Sequence, residues 1–375
     1  MNKKKILCFC LALGAFSAMM AQETLSLSQC LQMAVDNNLS LQKSRNEIAK
    51  GKYSISENQA KLLPQINAVA QLNDNFTPPV SVTDGSAYGK PYNVTKTLQY
   101  NASAGLQLQM PLYNQMVNTA IDIAKIADHL NQLSYEKARE DLIVQTAKMY
   151  YMAQNTAEQI RLVNDNIKRL EELYGITQAF YDNQMSLEVD VKRVKLNIEN
   201  LTVQRDNAIA MLDQQYTMLK YVIDYPADKQ IKVSEVNPGE IETVNANGLN
   251  THLYELQLLE KRKELAQKQT KLAKDGYLPS VSLTGSLMYS AFTDKIEHWI
   301  HSGESNHWYG SNGIGIQLRV PVFDGFEKRS NIRRAKMEEE NARIGYEDAL
   351  KGMQANYMNA VSEVNNSQRN YKKQF

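Results

Sequence analysis

The stretch from Tyr100 to Met110 reads Tyr-Asn-Ala-Ser-Ala-Gly-Leu-Gln-Leu-Gln-Met. Its apolar residues alternate without exception with polar residues or glycine. Successive side chains of a β-strand point to opposite faces, so this period of two predicts a strand with one apolar and one polar face. We place this strand at residues 98–111.

Three further segments show the same alternation and predict strands at residues 65–76, 280–291 and 312–322. Strands of about 9–11 residues cross an outer membrane at a tilt, with lipid on one side and water on the other. A soluble antiparallel sheet packed on a core shows the same pattern, so the strands alone leave both interpretations open. Four strands cannot close a barrel, and lipid does not tolerate an open sheet edge. In a membrane, several chains would therefore share one barrel.

Helical patterns flank these strands. From Leu27 to Leu62 an apolar residue recurs every seven positions, which predicts a long helix packed in the coiled-coil manner. Pro64 ends this helix, since proline cannot continue its hydrogen bonds. Residues 114–222 predict a hairpin of two long helices, the first on the order of 100 Å long at about 1.5 Å per residue.

The best candidate for the turn of this hairpin is Asp182–Ser186. Asparagine tolerates a left-handed backbone, and Ser186 is a good N-cap for a second helix. That helix carries Glu188 and Asp190 in its first turn, where acidic residues favour the helix dipole.

The order helix–strand–strand–helix occurs twice. Gly105–Asn114 resembles Gly315–Asp324, and Tyr135–Ala138 resembles Tyr346–Ala349 at nearly the same spacing, which indicates an internal duplication. We divide the chain into a first repeat at 22–224, a connector at 225–249 and a second, incomplete repeat at 250–375. The second repeat has no counterpart of the returning helix, so we expect the chain to be a fragment truncated within its last long helix.

The N-terminus predicts export. Lys3–Lys5 precede the apolar run Ile6–Met20, and Ala21 offers a small residue for cleavage, so residues 1–21 are typical of a secretory signal peptide. Cys30 is then the only remaining cysteine, and an intramolecular disulfide is excluded.

Composition excludes other classes of protein. The 42 basic and 41 acidic residues nearly cancel, so no charge excess indicates nucleic acid as a partner. A mean hydropathy of -0.47 argues against a bundle of membrane-spanning helices. We find no catalytic motif and expect no cofactor. His298, His301 and His307 cluster in sequence but lack an acidic or cysteine partner on a defined element, so we expect no metal site.

This pattern resembles the outer membrane efflux protein family, the TolC-like channels. The resemblance is carried by the opening-helix residues Leu25–Leu27, Ala34 and Asn37-Asn38, and by the strand boundaries Leu63–Gln65, Pro111–Tyr113 and Pro321–Gly325. It implies a homotrimer in which each protomer gives four strands to a twelve-stranded barrel in outer-membrane lipid. It also implies that the helices form a tunnel through the periplasm and dock onto a periplasmic adaptor attached to an inner-membrane transporter.

The resemblance also implies site residues. The family usually has a Gly-Leu turn followed by an Asp-Val pair, and this chain keeps Asp190-Val191 without the glycine. We expect the adaptor contact at Asn183, Gln184, Met185, Ser186, Leu187 and Asp190, although Asp190 is equally well explained as a helix-dipole residue. The residues expected to line the barrel lumen are Gln99, Asn101, Ser103, Gln107 and Gln109.

These expectations combine into one leading hypothesis. The chain is a passive exit channel of a tripartite efflux or type I secretion system, not an enzyme, in the outer membrane of a Gram-negative bacterium and extending into the periplasm. The alternative is a periplasmic coiled-coil scaffold or adaptor whose β segments form a soluble domain.

Overall fold

A computed structural model of the chain describes residues 23–235, 253–295, 297 and 308–374. The signal peptide expected at 1–21, most of the connector expected at 225–249 and the three histidines His298, His301 and His307 lie outside the described residues.

Long helices and short strands alternate along the chain. The helices are α1 (Leu27–Asn37), α2 (Leu39–Ala60), α3 (Gln115–Asp182), α4 (Glu188–Ile223), α5 (Tyr254–Asp275) and α6 (Glu327–Gln374). The strands are β1 (Glu23–Leu25), β2 (Gln65–Asp74), β3 (Val80–Asp84), β4 (Tyr92–Lys96), β5 (Tyr100–Tyr113), β6 (Ile231–Val233), β7 (Ser280–Thr293) and β8 (Trp308–Arg319). None of the helices in the described ranges combines the length and the apolar character needed to cross a membrane.

The chain forms two compact units. We call the first the β1–β6 unit; its described residues are 23–47, 133–235 and 364–374. We call the second the sheet unit; its described residues are 48–132, 253–295, 297 and 308–363.

The β1–β6 unit is built around two short parallel strands. Glu23 pairs with Ile231, and Leu25 pairs with Val233. Leu25, Leu219 and Ile231 are fully or almost fully buried in one apolar cluster. The alternation of Ile231 and Val233 predicts a short strand in the connector, but nothing in the pattern of residues 23–25 predicts its partner.

Tyr150 fastens this pair of strands to helix α3. Its hydroxyl donates to the carbonyl of Leu25 at 3.1 Å, accepts from the backbone N–H of Ser234 at 3.1 Å and lies 2.5 Å from the Ser234 hydroxyl. The side chain is only 2% exposed, so these bonds are protected from water. A buried hydroxyl of this kind satisfies backbone groups that would otherwise stay unpaired.

The opening helix differs from its prediction in one respect. The heptad predicts one continuous helix, but the structure breaks it at Asn38, between α1 and α2. The Asn38 side chain donates to the carbonyl of Val222 at 3.1 Å and accepts from the N–H of Ser40 at 2.9 Å. Asparagine therefore caps the second helix, which competes with helix continuation. The heptad positions Leu27, Ala34, Leu41, Ile48, Ile55 and Leu62 are nevertheless all buried or half-buried.

The sheet unit contains an antiparallel sheet in the order β2-β5-β7-β8. The four strands were expected at 65–76, 98–111, 280–291 and 312–322 and are observed at 65–74, 100–113, 280–293 and 308–319. The strand β8 ends at Arg319, two residues before Pro321, because proline has no N–H to contribute to the sheet. Helix–strand–strand–helix order recurs as α2-β2-β5-α3 and α5-β7-β8-α6.

A second ribbon was missed by the sequence reading. The segment between β2 and β5, which carries Pro78 and Pro79 and was given no strand in the sequence analysis, forms the antiparallel hairpin β3–β4, with Val82 opposite Val94. A short 3-10 turn, Ser86–Tyr88, and a left-handed Gly89 connect the two strands. Five-residue strands are too short for their alternation to stand out in a segment rich in turn residues.

Two polar contacts join α3 to α5 inside the sheet unit. The buried Thr119 hydroxyl donates to the buried carboxylate of Asp275 at 2.5 Å, and Lys268 lies 2.8 Å from Asp122. The hydrogen bond from Lys268 lowers the pKa of Asp122. A lowered carboxyl pKa means that this contact contributes above the usual pKa of aspartate and is lost as the pH falls through the lowered value.

Removing the Tyr150 hydroxyl tests its role. We expect Tyr150→Phe to lower the free energy of unfolding by about 1–3 kcal/mol, because buried polar partners lose their hydrogen bonds. Amide hydrogen exchange at residues 23–25 and 231–234 should accelerate with it. Tyr151→Phe is the matched control, since the neighbouring ring is half exposed. Equal exchange in both variants would contradict the role given to Tyr150.

Candidate functional site: a two-faced sheet and an exposed helical turn

Registers of the three strand pairs align polar residues in rows across the sheet. Side chains of directly opposed residues lie on the same face. Three rows of this polar face are Gln65–Gln109–Thr284–Gly315, Asn67–Gln107–Ser286–Gly313 and Gln71–Ser103–Ser290–Tyr309. The polar face therefore extends over all four strands.

Four of the five expected lumen residues lie on this face. Asn101, Ser103, Gln107 and Gln109 are in β5, and Asn101 lies opposite Asn73. Gln99 precedes the strand, and its amide donates to the carboxylate of Asp74 at 3.0 Å. The sequence analysis named no lumen-lining residues in β2 or β7. Both strands show the same alternation, which was enough to assign their polar residues to this face.

The polar face is concave at one place. Asn67, Gln107, Gln109, Thr284 and Ser286 are among the residues around a depression of about 480 Å³. Amide and hydroxyl groups with small glycines between them suit contact with water and do not form an enclosed binding site.

One glycine on this face is required by packing. A Cβ atom at Gly105 would lie 2.1 Å from the carbonyl oxygen of Leu287 on the neighbouring strand. Backbone cannot move aside cheaply at that distance, so only glycine fits at Gly105.

The opposite face of the sheet is apolar. Its rows include Ile66–Leu108–Gly285–Ile314, Met110–Leu283–Ile316 and Leu72–Ala102–Ala291–Trp308. Ile314 is 77% exposed and Ile316 is 72% exposed. A soluble sheet would bury such residues on its own core, whereas this chain leaves a wide apolar surface open.

Among the described residues, each of the two edge strands of the sheet has one side without a paired strand. The strands β2 and β8 are outermost in the order β2-β5-β7-β8, so within the described chain each has one neighbour in this sheet. Free backbone N–H and C=O groups along such edges invite a further strand.

The second part of the site is the turn between α3 and α4. Gln184 has a φ of 59°, in the left-handed region. The N–H of Met185 donates to the carbonyl of Phe180 at 2.8 Å, and the N–H of Gln184 donates to that of Tyr181 at 2.9 Å. This is the Schellman arrangement of a helix C-terminus, with glutamine at the position that usually holds glycine.

Ser186 does not cap the next helix, so the prediction of a serine cap is wrong. Leu187 is the N-cap residue, without a side-chain hydrogen bond, and the Ser186 hydroxyl is buried without a hydrogen-bond partner in the described structure. Asn183, the other polar residue of the turn, uses its side-chain amide to donate to the Ala179 carbonyl at 2.7 Å.

The turn exposes apolar side chains beside charges. Met185 is 73% exposed and Leu187 is 71% exposed. Glu188 pairs with Lys192 at 2.7 Å, and Asp190 lies 3.9 Å from Arg193. Two neighbouring apolar side chains in water, next to surface ion pairs of small energy, are typical of a contact surface.

Within residues 23–235, 253–295, 297 and 308–374, no group of three or more His, Cys, Asp or Glu side chains could hold a metal ion.

The left-handed Gln184 gives a direct test of the turn. We expect Gln184→Gly to stabilise local structure by about 1 kcal/mol, because a side chain is disfavoured in this conformation. Amide exchange at Gln184 and Met185 should slow roughly fivefold. Gln184→Ala keeps a Cβ atom and should bring no such gain. A gain shared by both variants would contradict the strained conformation.

Comparison with known proteins finds a matching family model and similar outer membrane proteins. The family model "Outer membrane efflux protein" matches residues 30–219 and 254–374. The outer membrane protein TolC of Escherichia coli K12 is 23% identical over 368 residues, which cover 95% of this chain and 71% of that protein.

Solved structures share the fold. The outer membrane protein VceC of Vibrio cholerae superposes with a TM-score of 0.70 at 16% identity, over 92% of this chain and 79% of that one. CusC, whose structures are described in relation to folding and transmembrane channel formation, superposes with a TM-score of 0.71 at 14% identity. The match covers 93% of this chain and 78% of that one. A family model that matches most of the residues, together with this two-faced sheet and long helical hairpin, makes the chain a member of the outer membrane efflux protein family and an outer-membrane channel protein.

Proposed function

We propose that the chain is one protomer of a homotrimeric, passive exit channel that joins an inner-membrane transporter and a periplasmic adaptor to the outside of a Gram-negative cell. The observation that carries this proposal is the four-stranded sheet with a polar face, an exposed apolar face and two free edges. The channel needs no catalytic group, and the transported compound is selected by the transporter.

The free edges support a shared barrel. All three strand pairs of the sheet are antiparallel, so β2 and β8 run in opposite directions. The edge β8 of one copy can therefore continue the antiparallel pattern with β2 of the next. Three copies related by rotation give twelve strands and leave no edge open to lipid.

In this barrel, the two faces of the sheet contact different surroundings. The apolar rows contact outer-membrane lipid, and the polar rows, with Asn101, Ser103, Gln107 and Gln109, line water. Amides and hydroxyls without net charge offer solutes many weak contacts and no strong one. Such a lumen suits a duct for varied cargo.

The helical hairpin α3–α4 contributes to a tunnel wall in the periplasm, and its turn is the docking point for the adaptor. Met185 and Leu187 are the anchors of this contact, since large apolar side chains gain most when water is removed. Asn183, Gln184, Ser186 and Asp190 belong to the polar surround. Of these, Asp190 also favours the helix dipole.

The two faces of the sheet are tested by thiol labelling of adjacent residues in β5. In intact cells, Gln107→Cys should react with a water-soluble, membrane-impermeant maleimide, and Leu106→Cys should not, because only the first faces water. The control is the unchanged chain, whose Cys30 is buried. Labelling of Leu106→Cys with Gln107→Cys protected would contradict the channel orientation. Recovery of the full-length protein in the soluble periplasm without detergent would favour the scaffold alternative.

The docking surface is tested by a photo-reactive amino acid at Leu187, with the exposed Asn166 of α3 as matched control. In cells, the probe at residue 187 should cross-link to a different envelope protein, and the probe at 166 should not. Cross-links confined to copies of the chain itself would contradict adaptor contact at this turn without bearing on the barrel.

A further inference from the structure

The β3–β4 hairpin has an exposed apolar face that the channel function leaves unexplained. Val80, Val82, Tyr92 and Val94 lie on one side of the ribbon, which also carries Asp84 and Lys96 at its two ends, and Val82 is 63% exposed. The other side carries the polar residues Ser81, Thr83, Asn93 and Thr95. These two strands pair only with each other in the described structure, and a two-stranded ribbon alone is marginally stable in water.

The hairpin continues the β2–β5 pair. The N–H of Asn75 donates to the carbonyl of Gln99 at 2.8 Å, and the N–H of Thr97 donates to that of Pro79 at 3.0 Å. Between these two contacts, residues 76–78 lie opposite Leu98 alone, so one side of the hairpin has two extra residues.

An insertion of two residues preserves the facing of the side chains, because the side-chain period of a strand is also two. The apolar face of β2 and β5 consists of even-numbered residues, and the apolar residues of β3 and β4 are even-numbered too. Phe76 and Leu98, both exposed, fall between them with the same parity. The apolar residues of the hairpin thus keep the parity of those in the sheet, across a junction with bends at Phe76, Thr77 and Gln99.

Strand length gives the depth at which the hairpin begins. The ten residue pairs of β2 and β5 extend on the order of 30 Å at about 3.3 Å per residue, which at a tilt of about 35–45° rises roughly 21–25 Å through an apolar band about 25 Å tall. The hairpin therefore begins at the boundary of that band. The hairpin lies at the ends of β2 and β5 that are remote from α2 and α3. With the helices in the periplasm, it lies at the outer rim of the barrel.

Charge and aromatic residues of the hairpin suit this rim. Tyr88 and Tyr92 are exposed, and Lys90 and Lys96 enter none of the ion pairs found among the described residues. The nearby carboxylate of Asp84 is occupied by the N–H and hydroxyl of Ser86, at 2.9 and 3.0 Å. Tyrosine and lysine beside apolar residues are typical of a lipid headgroup boundary.

We propose that the β3–β4 hairpin lies at the outer boundary of the outer membrane, with Val80, Val82, Tyr92 and Val94 against the ends of the acyl chains that join the headgroups and with Lys90 and Lys96 on anionic headgroups. This inference rests on the proposed function, since it requires the apolar face of the sheet to contact lipid.

Site-directed spin labelling of the full-length protein in liposomes that contain anionic lipid tests the hairpin. Nitroxides are placed singly at Val82→Cys, at Thr83→Cys on the opposite face of the same strand, and at Leu106→Cys in the sheet. Collisions with oxygen, which concentrates in lipid, are compared with collisions with a water-soluble nickel chelate. Burial raises the pKa of Cys30 to about 11, so the chain without an added cysteine should give no signal and serves as the blank.

We expect residues 82 and 106 to favour oxygen severalfold over the nickel chelate, and residue 83 to show the reverse. If residue 106 is in lipid but residue 82 contacts water or neither reagent, the hairpin is in solution or covered by protein, and this inference alone is overturned. If residues 82 and 83 respond alike, the hairpin has no fixed lipid face, which overturns it as well. If residue 106 itself is not in lipid, the proposed function fails too.

Discussion

The sheet depends on how its two outermost strands satisfy the backbone N–H and C=O groups on their free sides. The strands β2 and β8 each have one side without a neighbour in the described chain, and hydrocarbon offers no water to replace the missing partner. In the proposed channel, one copy of the chain is therefore an incomplete barrel, and assembly is part of its folding. The same arrangement gives the exposed apolar rows lipid as their surroundings in place of another layer of the protein.

Away from the sheet, polar side chains link the long helices to other elements beside the apolar cluster of the β1–β6 unit. Tyr150 joins α3 to the strand pair β1–β6, and Asn38 joins the break between α1 and α2 to the end of α4. In the other unit, Thr119 and Asp275 join α3 to α5. Surface ion pairs such as Arg343 with Glu340 are numerous along the helices but contribute little each.

Much of this architecture could be predicted from periodicity. The four strands of the sheet, the long hairpin and its turn follow from a period of two or of about 3.6 that persists over ten or more residues, as in Tyr100–Met110. The features that were missed are short. Residues 23–25 form a strand only because Ile231–Val233 lies beside them, a contact across more than half the chain. At the break between α1 and α2, the Asn38 side chain also donates to the carbonyl of Val222, a contact that no local pattern contains.

The candidate site also combines features that periodicity predicts with features that depend on three-dimensional contacts. The polar face of β5 follows from the alternation, but which residues of β2, β7 and β8 share a row with it depends on register, and register is set by pairing in three dimensions. The glutamine at a left-handed position was equally beyond prediction, because glutamine gives no local signal for that conformation.

The register shift at residues 76–78 has a consequence for how this part of the chain can vary. A segment that joins two paired regions of one ribbon tolerates length changes in steps of two far better than in steps of one. A single added or deleted residue would move each following side chain of that strand to the opposite face. The apolar and polar sides of the β3–β4 hairpin would then be exchanged. Related chains should therefore differ in length here by even numbers, a parity rule that sequence comparison alone can check.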